Sequence, residues 1–166
     1  MHNKKYVVYW DSCIFIAVIN NEKRSNNEMD GVLDCVEKVE IGQAIILTLR
    51  NLLFEEVQLR TLEAGETFRG IMKRSGIELP SQDIRIERLA KELCNYYDTH
   101  GSKPLGEKDA LHLATAIHYR ADAFYTFDSG EKGKTISLLS ISGNVAGKYP
   151  LLICKPPVKQ MRLFRR

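Results

Sequence analysis

Apolar runs of strand length alternate with helical patterns along this chain. Residues 5–10, 43–49, 123–127 and 136–141 are short runs rich in β-branched, aromatic or other large apolar residues. They are apolar in near-continuous blocks rather than at every second position, as strands are when both faces are covered, which implies a parallel sheet between helices. Helical periodicity predicts helices over 13–20, 28–39 (Met29, Val32, Leu33, Val36, Val39), 51–63, 64–74, 83–98 (Ile84, Ile86, Leu89, Ala90, Leu93, Tyr96, Tyr97) and 108–120. Gly76 and Pro80 punctuate the middle, Gly101 to Gly106 form a turn-rich connection, and the run Tyr149 to Pro157 adds an edge strand that the prolines end. No repeat or low-complexity tract interrupts the alternation, so the fold class is α/β, with strands joined by right-handed helical crossovers.

Acidic residues recur where these elements end or begin. Asp11 closes the run Tyr6 to Trp10, Glu55 and Glu56 follow Ala44 to Leu49, Asp109 opens the helical segment that continues to Ile117, and Asp128 closes Phe124 to Phe127. In open α/β sheets ligands bind beyond the carboxyl ends of the strands, where the order of connections reverses. A strand-terminal aspartate taken alone more often caps the following helix. Three or four acids on one edge are harder to explain by capping, because like charges raise one another's pKa unless a cation is present. Gathered there, they would bind a hard cation.

Composition sets the outer limits. A chain of 166 residues with 44% hydrophobic residues buries about two thirds of its unfolded surface in one core and is short for two domains. The expected organisation is a single domain over 1–154 and a basic tail over 155–166. No window approaches the roughly 20 apolar residues of a membrane span, and the N-terminus lacks the apolar stretch of a secretory signal, so a soluble, cytoplasmic protein is expected. Cys13, Cys35, Cys94 and Cys154 are widely spaced, without a C-x-x-C pair, and read as reduced, buried thiols. The net charge of +3 divides unevenly: beyond Glu131 there are only basic charges, about +8 in all, leaving about −5 on the rest. A basic arm would attract phosphates in a salt-dependent way; equally, it is a solubilising tail.

Four segments, taken in order, resemble the motifs of PIN-domain ribonucleases: Asp11-Ser12-Cys13-Ile14-Phe15-Ile16 after a hydrophobic strand, an acid-bearing helix after Leu47-Thr48, Lys108-Asp109-Ala110-Leu111-His112-Leu113-Ala114-Thr115-Ala116, and Tyr125-Thr126-Phe127-Asp128. The similarity spans roughly residues 5 to 130 and is nearest to the toxin nucleases of bacterial VapBC-type toxin-antitoxin pairs. The resemblance implies a three-layer α/β/α sandwich with a mainly parallel central sheet, whose acidic cluster binds magnesium or manganese and hydrolyses RNA. It makes Asp11, Asp109 and Asp128 the first, third and fourth motif acids. The second is Glu56 or Glu55; Glu56 is preferred because Val57 and Leu52 give it the apolar neighbours usual in the family. Ser12 and Thr126 match small hydroxyl positions beside the acids. The resemblance further implies a homodimer and an antitoxin whose segment covers the acidic site. The helices over 28–39 and 51–74 are candidates for that groove, since Leu52, Leu53, Phe54, Val57 and Leu59 exceed one buried stripe, although core packing accounts for most of them.

The residue types suit this chemistry. Magnesium takes carboxylates and water, whereas His2, His100, His112 and His118 are too scattered for a zinc site. A cation of this kind activates an attacking water and neutralises charge on phosphoryl oxygens. His112 lies three residues past Asp109 and could face the site, though a buried or partner-facing histidine is the commoner case. There is no Gly-rich phosphate loop, no Gly-x-Ser-x-Gly elbow and no Asp-x-Asp after the first strand. A receiver domain would require adjacent acids after that strand, where Asp11-Ser12 stands. The alternative of another class is a non-catalytic PIN-like domain that binds RNA or protein.

Overall fold

The first apolar run, Tyr6–Trp10, is strand β1 of a six-stranded sheet in the computed structural model, which describes residues 4–130 and 133–158. The other strands are β2 (Ala44–Leu47), β3 (Ile77–Glu78), β4 (Ala123–Tyr125), β5 (Gly143–Val145) and β6 (Tyr149–Cys154). Their order across the sheet is β3-β2-β1-β4-β6-β5. Every neighbouring pair is parallel except β5 with β6. From β1 the chain winds outward to β2 and β3, then returns to place β4 on the other side of β1. The carboxyl ends of β1 and β4 therefore flank the point where the winding reverses, the usual position of a site in such sheets.

The helices are α1 (Ser12–Ile19), α2 (Glu28–Glu40), α3 (Arg50–Glu56), α4 (Leu62–Met72), α5 (Ile84–His100) and α6 (Glu107–His118). Because strand side chains alternate between faces, β1 serves two cores. Val8 and Trp10 join Ala44, Ile46, Ala123 and Tyr125 against α1, α2 and α4. Tyr9 joins Leu47, Phe124, Leu151 and Ile153 against α5 and α6. The result is the α/β/α sandwich, with the near-continuous apolarity of the central strands explained by cover on both sides. Helix α5 shows the sequence logic plainly: Ile86, Ala90, Leu93 and Tyr97 are its buried residues, one stripe at helical spacing, and Asp83 caps it by accepting from the Arg85 and Ile86 amides at 2.8 and 3.1 Å.

Three sequence expectations are corrected. Residues 136–141 are not a strand: Leu138–Ile141 form a 3₁₀ turn, with the Ser140 amide and hydroxyl both on Ser137 O. The sheet position beside β4 belongs instead to β6. Second, β6 is not an edge strand, since β5, which the apolar pattern did not announce, pairs along its outer side. Third, the helical pattern from 51 breaks at Val57, whose backbone is extended, and α4 starts afresh at Thr61, whose hydroxyl caps Ala64 N at 3.0 Å. Of the apolar residues proposed for a groove, Leu52, Leu53 and Val57 are core, while Phe54 and Leu59 are exposed.

After Cys154 the chain lies on α2: Lys155 pairs with Glu28 at 2.6 Å and the Pro156 backbone sits against Gly31. Lys132 and the charges of the expected basic arm from Lys159 onward lie outside the described residues. The four cysteines are free thiols, of which Cys35 is buried as expected while Cys13, Cys94 and Cys154 are only partly so. Among the described residues, no helix is long and apolar enough to cross a membrane.

Candidate metal centre

Four segments of the chain meet beyond the carboxyl edge of the sheet. Asp11 follows β1 directly, and its amide donates to Tyr125 O of β4 at 3.0 Å, which ties the two strand ends together. Asp11 occupies the N-cap position of α1, yet its side chain makes no capping hydrogen bond. Instead its Oδ2 accepts from Thr126 Oγ1 at 2.7 Å and from the Cys13 thiol at 3.4 Å. Capping, the ordinary role of a strand-terminal aspartate, is thus not what holds this nearly buried carboxylate. Thr126 also serves the next acid, since its Oγ1 accepts from the Asp128 amide at 3.0 Å. The Asp128 carboxylate in turn accepts from Gly130 N at 3.0 Å.

Helix α3 carries Glu55 and Glu56 in its last turn. Glu56 Oε2 lies 3.0 Å from His112 Nε2, while Glu55 points outward and pairs with Lys108 at 2.8 Å on an exposed rim. Of the two adjacent acids, Glu56 is the one brought to the cluster. Helix α6 supplies Asp109 in its first turn and, three residues later on the same face, His112. The His112 side chain is 1% exposed and its Nε2 also lies 3.7 Å from Asp11 Oδ1. Asp11, Glu56 and His112 each offer one atom to a group spanning no more than 4.8 Å.

The electrostatics follow from crowding acids in a half-buried space. Burial raises the Asp109 pKa, and the charges of Asp11, Asp128 and Glu56 raise it further against a smaller opposing effect of His112, leaving it at about 6. Asp109 therefore shares the negative field of the other three acids. Burial also pushes Glu56 up, but hydrogen bonds from His112 and Ser12 and the charges of His112 and Lys108 outweigh it, so its carboxyl titrates below the usual value. For His112 burial acts downward and is overcome by Glu56, Asp11 and Asp109, so its pKa is raised. The arrangement concentrates negative charge in a space lined by oxygen donors, and its donor set fits a hard divalent cation.

The sequence model of one family, described as PIN domain, matches residues 8–132. The chain belongs to the PIN domain family. Its PIN fold is similar to two solved structures: VapBC2 from Rickettsia felis bound to a DNA fragment from its promoter, at 15% identity and a TM-score of 0.59 over 78% of this chain and 96% of that one, and FitAcB from Neisseria gonorrhoeae, at 13% identity and 0.55 over 90% and 97%. Comparison with curated protein sequences yields no match.

Within this PIN domain, three further side chains, His112, Cys13 and Tyr9, stand around the acids. The spacing of His112 from Asp109 allows it to face the site, against the commoner buried or partner-facing case; it is buried and faces Glu56. Cys13, expected only as a buried thiol, donates to Asp11 and accepts from Phe127 N at 3.3 Å. Tyr9, an unremarked strand position, reaches His112 Nδ1 at 2.7 Å, and nothing in local sequence signals a contact 103 residues apart.

Proposed function

We propose that this PIN-domain protein is a metal-dependent endoribonuclease that hydrolyses RNA phosphodiester bonds, acting as the toxin of a toxin-antitoxin pair. The observation that carries the reading is the gathering of Asp11, Glu56 and His112 at the winding reversal, with Asp109 buried near enough that the charges of Asp11, Asp128 and Glu56 add to the effect of burial in raising its pKa. Membership of a family whose members are generally nucleases supports it.

The carboxylates of Asp11, Glu56, Asp109 and Asp128 would hold Mg²⁺ or Mn²⁺. A bound divalent cation supplies Lewis acidity, lowering the pKa of a water and stabilising charge on phosphoryl oxygens. The chain's own contribution is positioning. Thr126 fixes Asp11 Oδ2 while Asp11 Oδ1 faces His112 Nε2, and Ser12 and His112 hold Glu56. An antitoxin partner and a homodimer belong to the same proposal. The similarity to VapBC2 and FitAcB supports the former, as do the exposed apolar side chains of Leu33, Phe54, Leu59 and Leu62 on the α2, α3 and α4 side, which suit a protein partner.

The test is incubation of the purified protein and an Asp11→Ala variant with a mixed cellular RNA pool in Mg²⁺, Mn²⁺ or chelator. Cleavage that needs both the metal and Asp11 is the expected result. Cleavage retained by the variant would reject this site, and RNA binding without cleavage by either folded protein would make it a binding module.

A further inference from the structure

Tyr9 is fully buried, stacked on Phe124 at 4.9 Å between ring centroids, and its hydroxyl meets the Leu49 amide and His112 Nδ1 at hydrogen-bond distance, whereas the neighbouring buried Thr48 hydroxyl forms no hydrogen bond of good geometry. The Leu49 amide donates to the Tyr9 oxygen at 3.0 Å. A phenol is protonated near neutral pH, so the oxygen has a proton to donate. With the Leu49 N–H occupying one lone pair, that proton is directed at His112 Nδ1, 2.7 Å away. A ring nitrogen that accepts a hydrogen bond is not the protonated one, so the remaining proton of a neutral imidazole resides on Nε2. There it faces Glu56 Oε2 at 3.0 Å, Ser12 Oγ at 3.5 Å and Asp11 Oδ1 at 3.7 Å. An unprotonated Nε2 would instead set its lone pair against ionised carboxylate oxygens, which only accept.

The geometry points to His112 as a hydrogen-bond donor that fixes the Glu56 carboxylate, held in that tautomer by Tyr9, rather than as a ligand of the metal. Although Nε2 lies within ligand distance of the acids, its lone pair carries a proton. The chain Leu49 N–H, Tyr9 O–H, His112 Nε2–H, Glu56 thus runs from the backbone after β2 to the acid at the end of α3, and its two ends are the N-cap and the last residue of that helix. Tyr9 and His112 are positioning residues, and the outer partners of a metal-binding carboxylate determine how well it binds. This assignment rests on the proposal that the acids hold a divalent cation.

Nitrogen-15 spectra of histidine-labelled protein decide it, with the His112 signals identified by their loss in a His112→Gln variant. At one pH near 8, with and without saturating Mg²⁺, Nε2 is expected to be pyrrole-like in both states and Nδ1 to respond to loss of its partner in Tyr9→Phe. Folded Tyr9→Phe is expected to bind Mg²⁺ about tenfold more weakly while keeping the ring stack on Phe124. A pyridine-like Nε2 in the Mg²⁺ form would make His112 a ligand and overturn the assignment; unchanged Mg²⁺ affinity in folded Tyr9→Phe would remove Tyr9 from it. If Tyr9→Phe fails to fold, His112→Gln, which can restore an N–H donor, and His112→Leu, which cannot, replace it: affinity near wild type in the first and about tenfold weaker in the second supports the donor role, and equal affinities refute it. Should wild type bind no Mg²⁺ at all, the metal reading fails, while the ring shifts of the metal-free protein still decide whether Nε2–H is held on Glu56.

Discussion

Thr126 Oγ1 donates to Asp11 Oδ2 at 2.7 Å and accepts from the Asp128 amide at 3.0 Å, so one buried hydroxyl couples the acids that follow two adjacent strands. Thr126→Val keeps the shape and removes both bonds. The expected outcome is a stability loss of about 1–3 kcal/mol from the stranded amide, together with about tenfold weaker Mg²⁺ binding. Thr126→Ser should restore both quantities. Chemical denaturation and calorimetric titration of the three proteins check this, and a Val variant with wild-type affinity would show that Asp11 needs no such anchor.

Glu55 and Glu56 are neighbours in sequence with different surroundings: Glu56 meets His112, and Glu55 pairs with Lys108 in solvent. Glu56→Gln is expected to weaken Mg²⁺ binding by between about 10- and 100-fold, whereas Glu55→Gln should stay within about twofold, as suits an exposed ion pair. A reversed order in the same titration would assign the second-motif role to Glu55.

Asp109 titrates at about 6 against an ordinary value of 3.8. Between those values the folded protein binds more protons than the unfolded chain, so this group lowers stability as pH rises through the window, and the penalty is fully present above it. Asp109→Asn removes the penalty. In chelator the variant should be the more stable protein at pH 7, by on the order of 1–3 kcal/mol, and the two melting curves should converge by pH 4. Excess Mg²⁺ should shift wild type upward more than the variant, since binding to the folded state adds stability only where affinity is retained. A difference independent of pH would contradict the raised pKa.

The sequence announced most of the fold, but selectively. Strands β1 and β2 and helices α2 and α5 were legible because long apolar stretches fix their period. Ile77–Glu78 is too short to show any period, and β5 begins at Gly143, whose φ of 101° belongs to a turn. Residues 136–141 misled because an apolar run states that residues are buried without saying against what; the slot beside β4 was decided by β6, further along the chain. At the site, acids at strand ends stood out because such groups are costly there without a purpose. The contact of Tyr9 with His112 could not stand out, because each residue alone fits an ordinary core position.

Arg120 is a second kind of misfit. Helix α6 ends in a Schellman arrangement, with Ala121 N on Ala116 O at 2.9 Å and Arg120 N on Ile117 O at 3.0 Å, which puts Arg120 in the left-handed region at φ 54°. Glycine occupies that position without strain. Arg120→Gly is expected to stabilise the protein by about 1 kcal/mol, raising the melting temperature by about 2–4 °C. A lower melting temperature would mean that the arginine side chain supplies more than its backbone strain removes.

Gly31 makes the opposite case, a glycine required by space. It sits in the first half of α2, where alanine would ordinarily favour the helix by roughly 1 kcal/mol. Here a Cβ would run into the Pro156 backbone carbonyl and come within 2.9 Å of Pro157 O. Both are main-chain atoms just past β6, held near α2 by the Lys155–Glu28 pair, so they cannot swing aside as a flexible side chain would. Gly31→Ala is therefore expected to destabilise the protein by about 1–3 kcal/mol despite its better helix propensity. Deleting residues 155–166 in the same background should remove the clash and reveal the propensity gain. If Gly31→Ala is neutral or stabilising in the full chain, the segment after Cys154 is not packed on α2 in solution.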